Sequence, residues 1–243
     1  MRALFILLFS LIITSSFAQD NKLTAFMIDY THQFPKLGLH ERFNSNSAIG
    51  VSFIKEKENN VFYGIDAHYM FGNNVKDSMI LDVISAESGV IIAGNGDNGD
   101  VLLYERGFNT HLIIGYAFHL NKENDNGIYL SGGLGYLQHK IHIDTKNEYI
   151  PQLTDEYKSG YDRLTSGVST KWNADYFYFS KQGNFQFFSG IEMIYAFTKN
   201  QRIYLFDKML PTDDKLRYDI LIGIRLGIII PISRKNKEEF HYF

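Results

Sequence analysis

The 243-residue sequence contains no cysteine. That removes disulfide frameworks, thiolate metal sites and cysteine nucleophiles together. Proline is scarce, at four residues, and tryptophan occurs once. An excess of one charge is also missing. The 24 Lys and Arg stand against 27 Asp and Glu, a net charge of -3, so there is no electrostatic case for nucleic-acid binding. No apolar run reaches the length of about 18 residues that a spanning helix needs. There is no G-x-S-x-G motif, and the run Gly132-Gly133-Leu134-Gly135 stands in no strand-to-helix context. Within a strand it suits relief of crowding inside a barrel better. What is plentiful is aromatic. Twenty Phe and 16 Tyr raise the aromatic share to 15% of a chain that is 45% hydrophobic, too apolar for disorder.

The N-terminus carries one positive charge, Arg2, an apolar run over residues 4–13, and a small-residue site ending in Ala18. This is the layout of a secretory signal peptide over residues 1–18, cleaved before Gln19. Loss of Arg2 takes the net charge from -3 to -4. An exported chain without cysteine suits a bacterial envelope.

Beyond it, period-two alternation runs through the whole chain. From Tyr218 to Ile232 the even positions are all apolar, while the odd positions include Arg217, Asp219, Gly223, Arg225 and Gly227. A strand produces two such faces and a helix cannot. The Ile-rich face suits lipid, and the Arg, Asp and Gly face suits the interior of a narrow barrel. The same pattern predicts eight strands, over residues 23–34, 48–57, 61–72, 107–120, 127–143, 166–180, 184–198 and 216–232. In the fifth the parity slips near Gln138, which predicts a bulge there.

Connection lengths fix the architecture. Short links over residues 58–60, 121–126 and 181–183 alternate with long ones over 35–47, 73–106, 144–165 and 199–215. Tight turns at one end and long loops at the other predict an all-β fold, an eight-stranded antiparallel up-and-down transmembrane barrel. The barrel spans residues 19–232 of the outer membrane, with short periplasmic turns, both termini periplasmic and a charged periplasmic tail over 233–243. Pro35, Pro151 and Pro211 fall in the long loops, and Pro231 falls at the end of the last strand, where no ladder bond is lost. Tyr and Phe gather near strand ends as interfacial girdles. In the longest loop, residues 78–87 are patterned for a short helix and residues 95–99 for a turn.

The inward-facing polar set comprises Asp29, Asp66, His68, His111, His119, Lys171, Asp175, Glu192, Arg217, Asp219 and Arg225. An eight-stranded barrel is just wide enough for side chains to fill it, and unpaired charge there is costly. A neutralising network that plugs the lumen is therefore expected, with a narrow ion path or a catalytic dyad as the alternative. Metal binding is not expected: His32 and His40 are isolated, and His111 and His119 lie roughly 26 Å apart along one strand. His139 and His142 point to opposite faces of a regular strand. For a lipid-modifying enzyme, of the deacylase or acyltransferase type, the chain offers only His32 near Ser45 and Ser47, so no catalytic residues and no cofactor are assigned.

Loops on a rigid scaffold are the best carriers of binding. Three stretches stand out: residues 103–108, 151–165 and 202–217, the last with Tyr204, Phe206, Asp207 and Lys208. The contact candidates within the first two are Tyr104, Arg106, Tyr157, Tyr161, Asp162 and Arg163.

Residues 103–108, 132–140 (GGLGYLQHK), 151–165 and the ending 219–231 resemble a family of small, mostly uncharacterised outer-membrane β-barrel proteins of Bacteroidota, most specifically in Gly-Tyr-Asp-Arg-Leu-Thr at 160–165. The Ser-Phe-Ala-Gln junction at residues 16–19 has the look of that phylum as well. The resemblance implies a fold and a location but no catalytic residues. Some small barrels of that phylum serve type IX secretion and gliding, though no motif here ties the chain to them. The expected function is a non-enzymatic structural or accessory subunit of the cell envelope, in contact with outer-membrane lipid, lipopolysaccharide and other envelope proteins. A lipid-modifying enzyme and a small-solute channel are the alternatives.

Overall fold

The computed structural model describes residues 21–120, 125–180 and 186–234. The signal segment, most of the tail and the tips of two short links therefore lie outside the described residues. Eight long strands form the molecule: β1 Asn21–Leu37, β2 Asn46–Lys57, β3 Val61–Gly72, β4 Leu102–His119, β5 Gly127–Asp144, β6 Thr165–Phe179, β7 Gln186–Asn200 and β8 Arg217–Arg234. Each pairs antiparallel with its neighbours in sequence, and β1 pairs with β8 to close the barrel. Closure leaves no open edge, so every strand finds a partner on both sides.

The alternation sorts side chains as the pattern predicts. On β8 the outward residues Ile222, Ile224, Leu226, Ile228, Ile230 and Ile232 are exposed, while Asp219, Leu221 and Arg225 are buried. Exposed rings form two girdles. Tyr30, Phe34, Tyr69, Phe108, Phe197 and Tyr218 lie toward the long loops; Phe26, Tyr63, Tyr116, Phe118, Tyr176, Tyr178 and Phe187 lie toward the short turns. Such an apolar band between aromatic rings is what a bilayer selects on a barrel's outer face.

Two expectations need correction. No bulge occurs at Gln138: β5 keeps one register with β4 from Gly127 to Asp144. Leu137, His139, Ile141 and Ile143 stay inside and Gln138, Lys140 and His142 outside, so the faces hold while their chemistry inverts. The inversion marks where the strand rises above the apolar band, with polar surroundings outside and loop side chains inside. The register shifts instead at the other end, between Thr24 and Ala25 opposite Ser233 and Pro231. The second correction is Pro35, which lies within β1, buried opposite Leu221. β2 stops opposite Gln33, so Pro35 sits on a locally unpaired edge and its missing N–H costs no ladder bond.

The long connections are compact. Residues 38–45 hold α1 (Gly38–Arg42), and residues 73–101 hold the 3-10 turn Ser78–Ile84 and a two-residue ladder pairing Ile91–Ile92 with Asn98–Gly99. Residues 145–164 hold α2 (Asp155–Lys158), and a second small ladder pairs Tyr204–Leu205 with Leu210–Pro211.

The glycines of the inner face set how tightly the lumen closes. A Cβ on Gly50 would stand 2.1 Å from the His68 ring, and one on Gly135 would stand 1.9 Å from the Thr110 carbonyl. Gly132, by contrast, faces outward beneath the Trp172 ring. Gly50→Ala should therefore push His68 from its place and destabilise the barrel by about 1–3 kcal/mol. Urea unfolding in detergent, followed by tryptophan fluorescence and by heat-modifiable mobility, measures it.

Candidate functional site

The interior divides into three layers. At the short-turn end an apolar layer contains Tyr129, Phe177, Phe179, Phe188, Phe62 and Ile113. Tyr129 stacks on Phe177 with ring centroids 3.9 Å apart, and Phe177 meets Phe188 at 5.3 Å. Polar groups trim this layer: Glu56 accepts hydrogen bonds from Tyr129 at 2.9 Å and from Lys22 at 3.0 Å, with His119 Nε2 2.7 Å away. Arg234 reaches Asp125 at 2.7 Å and lies on the Phe179 ring.

The middle layer is ionic. Two cations each lie between two carboxylates. Lys171 is 3.2 Å from Asp66 and 3.1 Å from Glu192. Arg225 is 3.0 Å from Asp29 and 3.4 Å from Asp175. His68 joins the two halves, with Nε2 3.1 Å from Asp29 and Nδ1 3.7 Å from Asp66. His111 faces Asp66 at 3.4 Å and Ser169 at 2.8 Å. Gln33 donates to Glu192 at 2.6 Å, and Thr31 to Asp29 at 3.0 Å. Every charged member is buried. At low dielectric the pairing is obligatory, because an isolated buried charge costs several kcal/mol even after relaxation.

The third layer, at the long-loop end, is apolar again. Leu39, Phe43, Ile80, Leu81, Ile91 and Leu153 come down from the loops onto Met70, Leu137, Ile141 and Leu221 of the strands. Asp219 belongs here rather than to the middle layer, accepting from Thr198 at 2.5 Å and facing His139 at 3.3 Å. Arg217, at the start of β8, pairs with Asp213 at 3.0 Å and also stands apart from the middle layer.

Above this layer the four long connections meet at Asp162 and Arg163. Arg163 makes a two-pronged bond to Asp207, at 2.9 and 2.5 Å, and lies 3.3 Å from Asp77. Asp162 accepts both Arg202 nitrogens, at 2.8 and 2.5 Å. Those hydrogen bonds hold the Arg202 pKa above its ordinary value. From α1, Arg42 donates to Thr165 at 2.7 Å and to the Arg163 carbonyl at 3.3 Å. Burial, followed by the neighbouring Arg217, pushes the Arg42 pKa down to about 10, which leaves it charged at neutral pH. Tyr161 is buried with its ring edge-on to Phe206, and burial then Asp207 raise its pKa.

Of the six candidates expected in loops, Tyr104 and Arg106 instead lie on β4, which begins at Leu102 inside the expected 73–106 link because its ladder with β5 runs on past its neighbours, and both are half-exposed. Tyr161, Asp162 and Arg163 are buried in contacts within the chain, and Tyr157 is exposed. At the rim, Ser47 shares a 2.7 Å hydrogen bond with Tyr30, and His32 packs edge-on against Phe34. Among the described residues no carboxylate pairs with His32 and no metal-ligating cluster occurs. Sequence reasoning missed Gln33, Ser169, Glu56, Lys22 and Arg42. Strand parity already pointed Gln33, Ser169 and Glu56 inward, whereas nothing local marked Arg42.

No family model matches the chain, and no curated protein does. Small outer-membrane proteins of solved structure resemble it at low identity. Ail of Yersinia pestis, in complex with the heparin analogue sucrose octasulfate, is 10% identical over 87% of this chain and 100% of its own, with a TM-score of 0.41. Neisserial surface protein A is 12% identical over 84% and 96%, with a TM-score of 0.42. OprG from Pseudomonas aeruginosa is 11% identical over 87% and 98%, with a TM-score of 0.36. At these values no residue role passes from them to this chain.

Two substitutions probe the layers. Lys171→Met leaves Asp66 and Glu192 facing each other and should cost about 3–5 kcal/mol, read as a lower urea midpoint in detergent. An unchanged midpoint would show that the ionic layer is not a plug. Arg163→Ala should free residues 201–216 to trypsin at Lys208 and Lys215 while the barrel core stays protected. Simultaneous loss of both would deny the loop cap its separate identity.

Proposed function

We propose that this chain is a non-enzymatic outer-membrane barrel that acts as a structural or accessory component of the envelope. Its long loops face the cell exterior and its termini face the periplasm. The observation that carries the proposal is the filled lumen: an ionic layer closed on each side by an apolar one, beneath a cap clasped at Asp162 and Arg163. Such an interior favours neither conduction nor a substrate channel. What is left to act is the outer surface. The loops present exposed Tyr157, Ile203 and Met209, and the strand β4 presents Tyr104 and Arg106, the mix of aromatic, apolar and Arg side chains that protein contacts favour. No feature of this surface singles out type IX secretion, and membership of that machine is no part of the proposal.

Two measurements test it. Reconstituted into planar bilayers, the protein should show no steady conductance; a persistent open level would overturn the plugged barrel. Photocrosslinkers at Tyr157 and Ile203 in native outer membranes should capture envelope proteins in stoichiometric amounts. Recovery of the barrel alone would overturn the accessory role.

A further inference from the structure

The β4–β5 hairpin runs past its neighbours at the long-loop end. Its ladder extends to Leu102 and Asp144, whereas β3 stops opposite Glu105 and β6 opposite His139. On its outward face Arg106 lies directly opposite Lys140, and Tyr104 opposite His142. Two cations facing each other across an antiparallel pair repel. Their local partners do not explain the arrangement. Arg106 donates to the Glu105 carbonyl at 2.9 Å and lies on the Tyr104 ring, 5.0 Å from its centre. Lys140 is 3.9 Å from Asp162, a carboxylate already held by both Arg202 nitrogens, and its side chain is 40% exposed. Among the described residues no ion pair within 4.0 Å involves Arg106 or His142; Asp144 follows His142 two residues above on the same face of β5 and acts on it only at longer range.

The depth of the patch is as telling as its charge. Two residues below Arg106, Phe108 packs against Tyr136 with ring centroids 5.8 Å apart, and Phe71 stands beside Arg106 on β3. Phe108 belongs to the girdle toward the long loops, Phe71 and Tyr136 are half-buried beside it, and Leu112 and Ile114 continue downward as exposed apolar surface. The cations therefore sit at headgroup level, with acyl-chain surface directly beneath them.

We infer that Arg106, Lys140 and His142 form a binding site on the β4–β5 face for the phosphorylated headgroup of a lipid in the outer leaflet. A phosphate between Arg106 and Lys140 turns their repulsion into two charge-assisted contacts, and the guanidinium fork suits its oxygens. The acyl chains then lie along Phe108, Leu112 and Ile114, which is why the occupant is a lipid rather than a soluble anion. This inference rests on the membrane orientation proposed above.

Native mass spectrometry of the detergent-solubilised full chain, titrated with diphosphorylated or dephosphorylated lipid A, tests it. The wild type should retain the phosphorylated form preferentially, and R106Q/K140Q should lose that retention by on the order of tenfold, while R106K/K140R keeps it. Equal retention of both lipids by the wild type, or unchanged binding by R106Q/K140Q, overturns the site. Should R106Q/K140Q fail to fold, the wild type still decides: raised salt should release phosphorylated lipid A, and salt-insensitive retention overturns the inference. Protease added to intact cells separates the two ideas, since failure to cut the long connections at Lys208 and Lys215 in the Arg163→Ala variant would refute the membrane orientation and not the headgroup chemistry.

Discussion

Barrel closure is the constraint from which the rest follows. In hydrocarbon every backbone N–H and C=O must be satisfied within the protein, and the β1–β8 pairing meets that demand by removing the last free edge. Eight strands closed in this way leave an interior about the width of the side chains that point into it. The lumen is therefore packed like a core, and its filling obeys the rules of cores rather than of channels.

Those rules explain why the charges lie in the middle. Four carboxylates, Asp29, Asp66, Asp175 and Glu192, share two fixed cations, Lys171 and Arg225. A buried ion pair contributes little net stability, because desolvation offsets its attraction. The apolar layers on either side supply the favourable burial, at about 1.5–3 kcal/mol for each side chain of Phe or Leu size. The ionic layer instead makes the arrangement specific. It draws on β1, β3, β4, β6, β7 and β8, with His68 tying its halves, so a shifted strand strands a charge without its partner.

The outer cap follows a second logic. Strands that rise above the apolar band exchange their surroundings, polar outside and protein inside. Loop residues such as Phe43, Ile80 and Leu153 complete the interior there, and Asp162 and Arg163 clasp the four connections. With the interior filled in this way, the surfaces proposed to act are the outside of the cap and the upper faces of the strands.

The sequence alone determined the strand count, the two faces of each strand, the alternation of short and long connections and the inward direction of Asp29, Asp66, Lys171 and Arg225. All of these follow from a period-two pattern that one strand carries by itself. The tertiary structure decided what no single strand contains. Lys171 meets Glu192 because β6 and β7 are neighbours, and His68 meets Asp29 only because the barrel curves β1 and β3 toward one axis. The apparent slip at Gln138 was a change of surroundings at constant parity, and parity read from polarity fails where the solvent changes. Arg163 finds Asp77 and Asp207, respectively 86 and 44 residues away, through loop folding over the barrel mouth. Partners so distant in the chain are chosen by closure and packing, which local patterning does not encode.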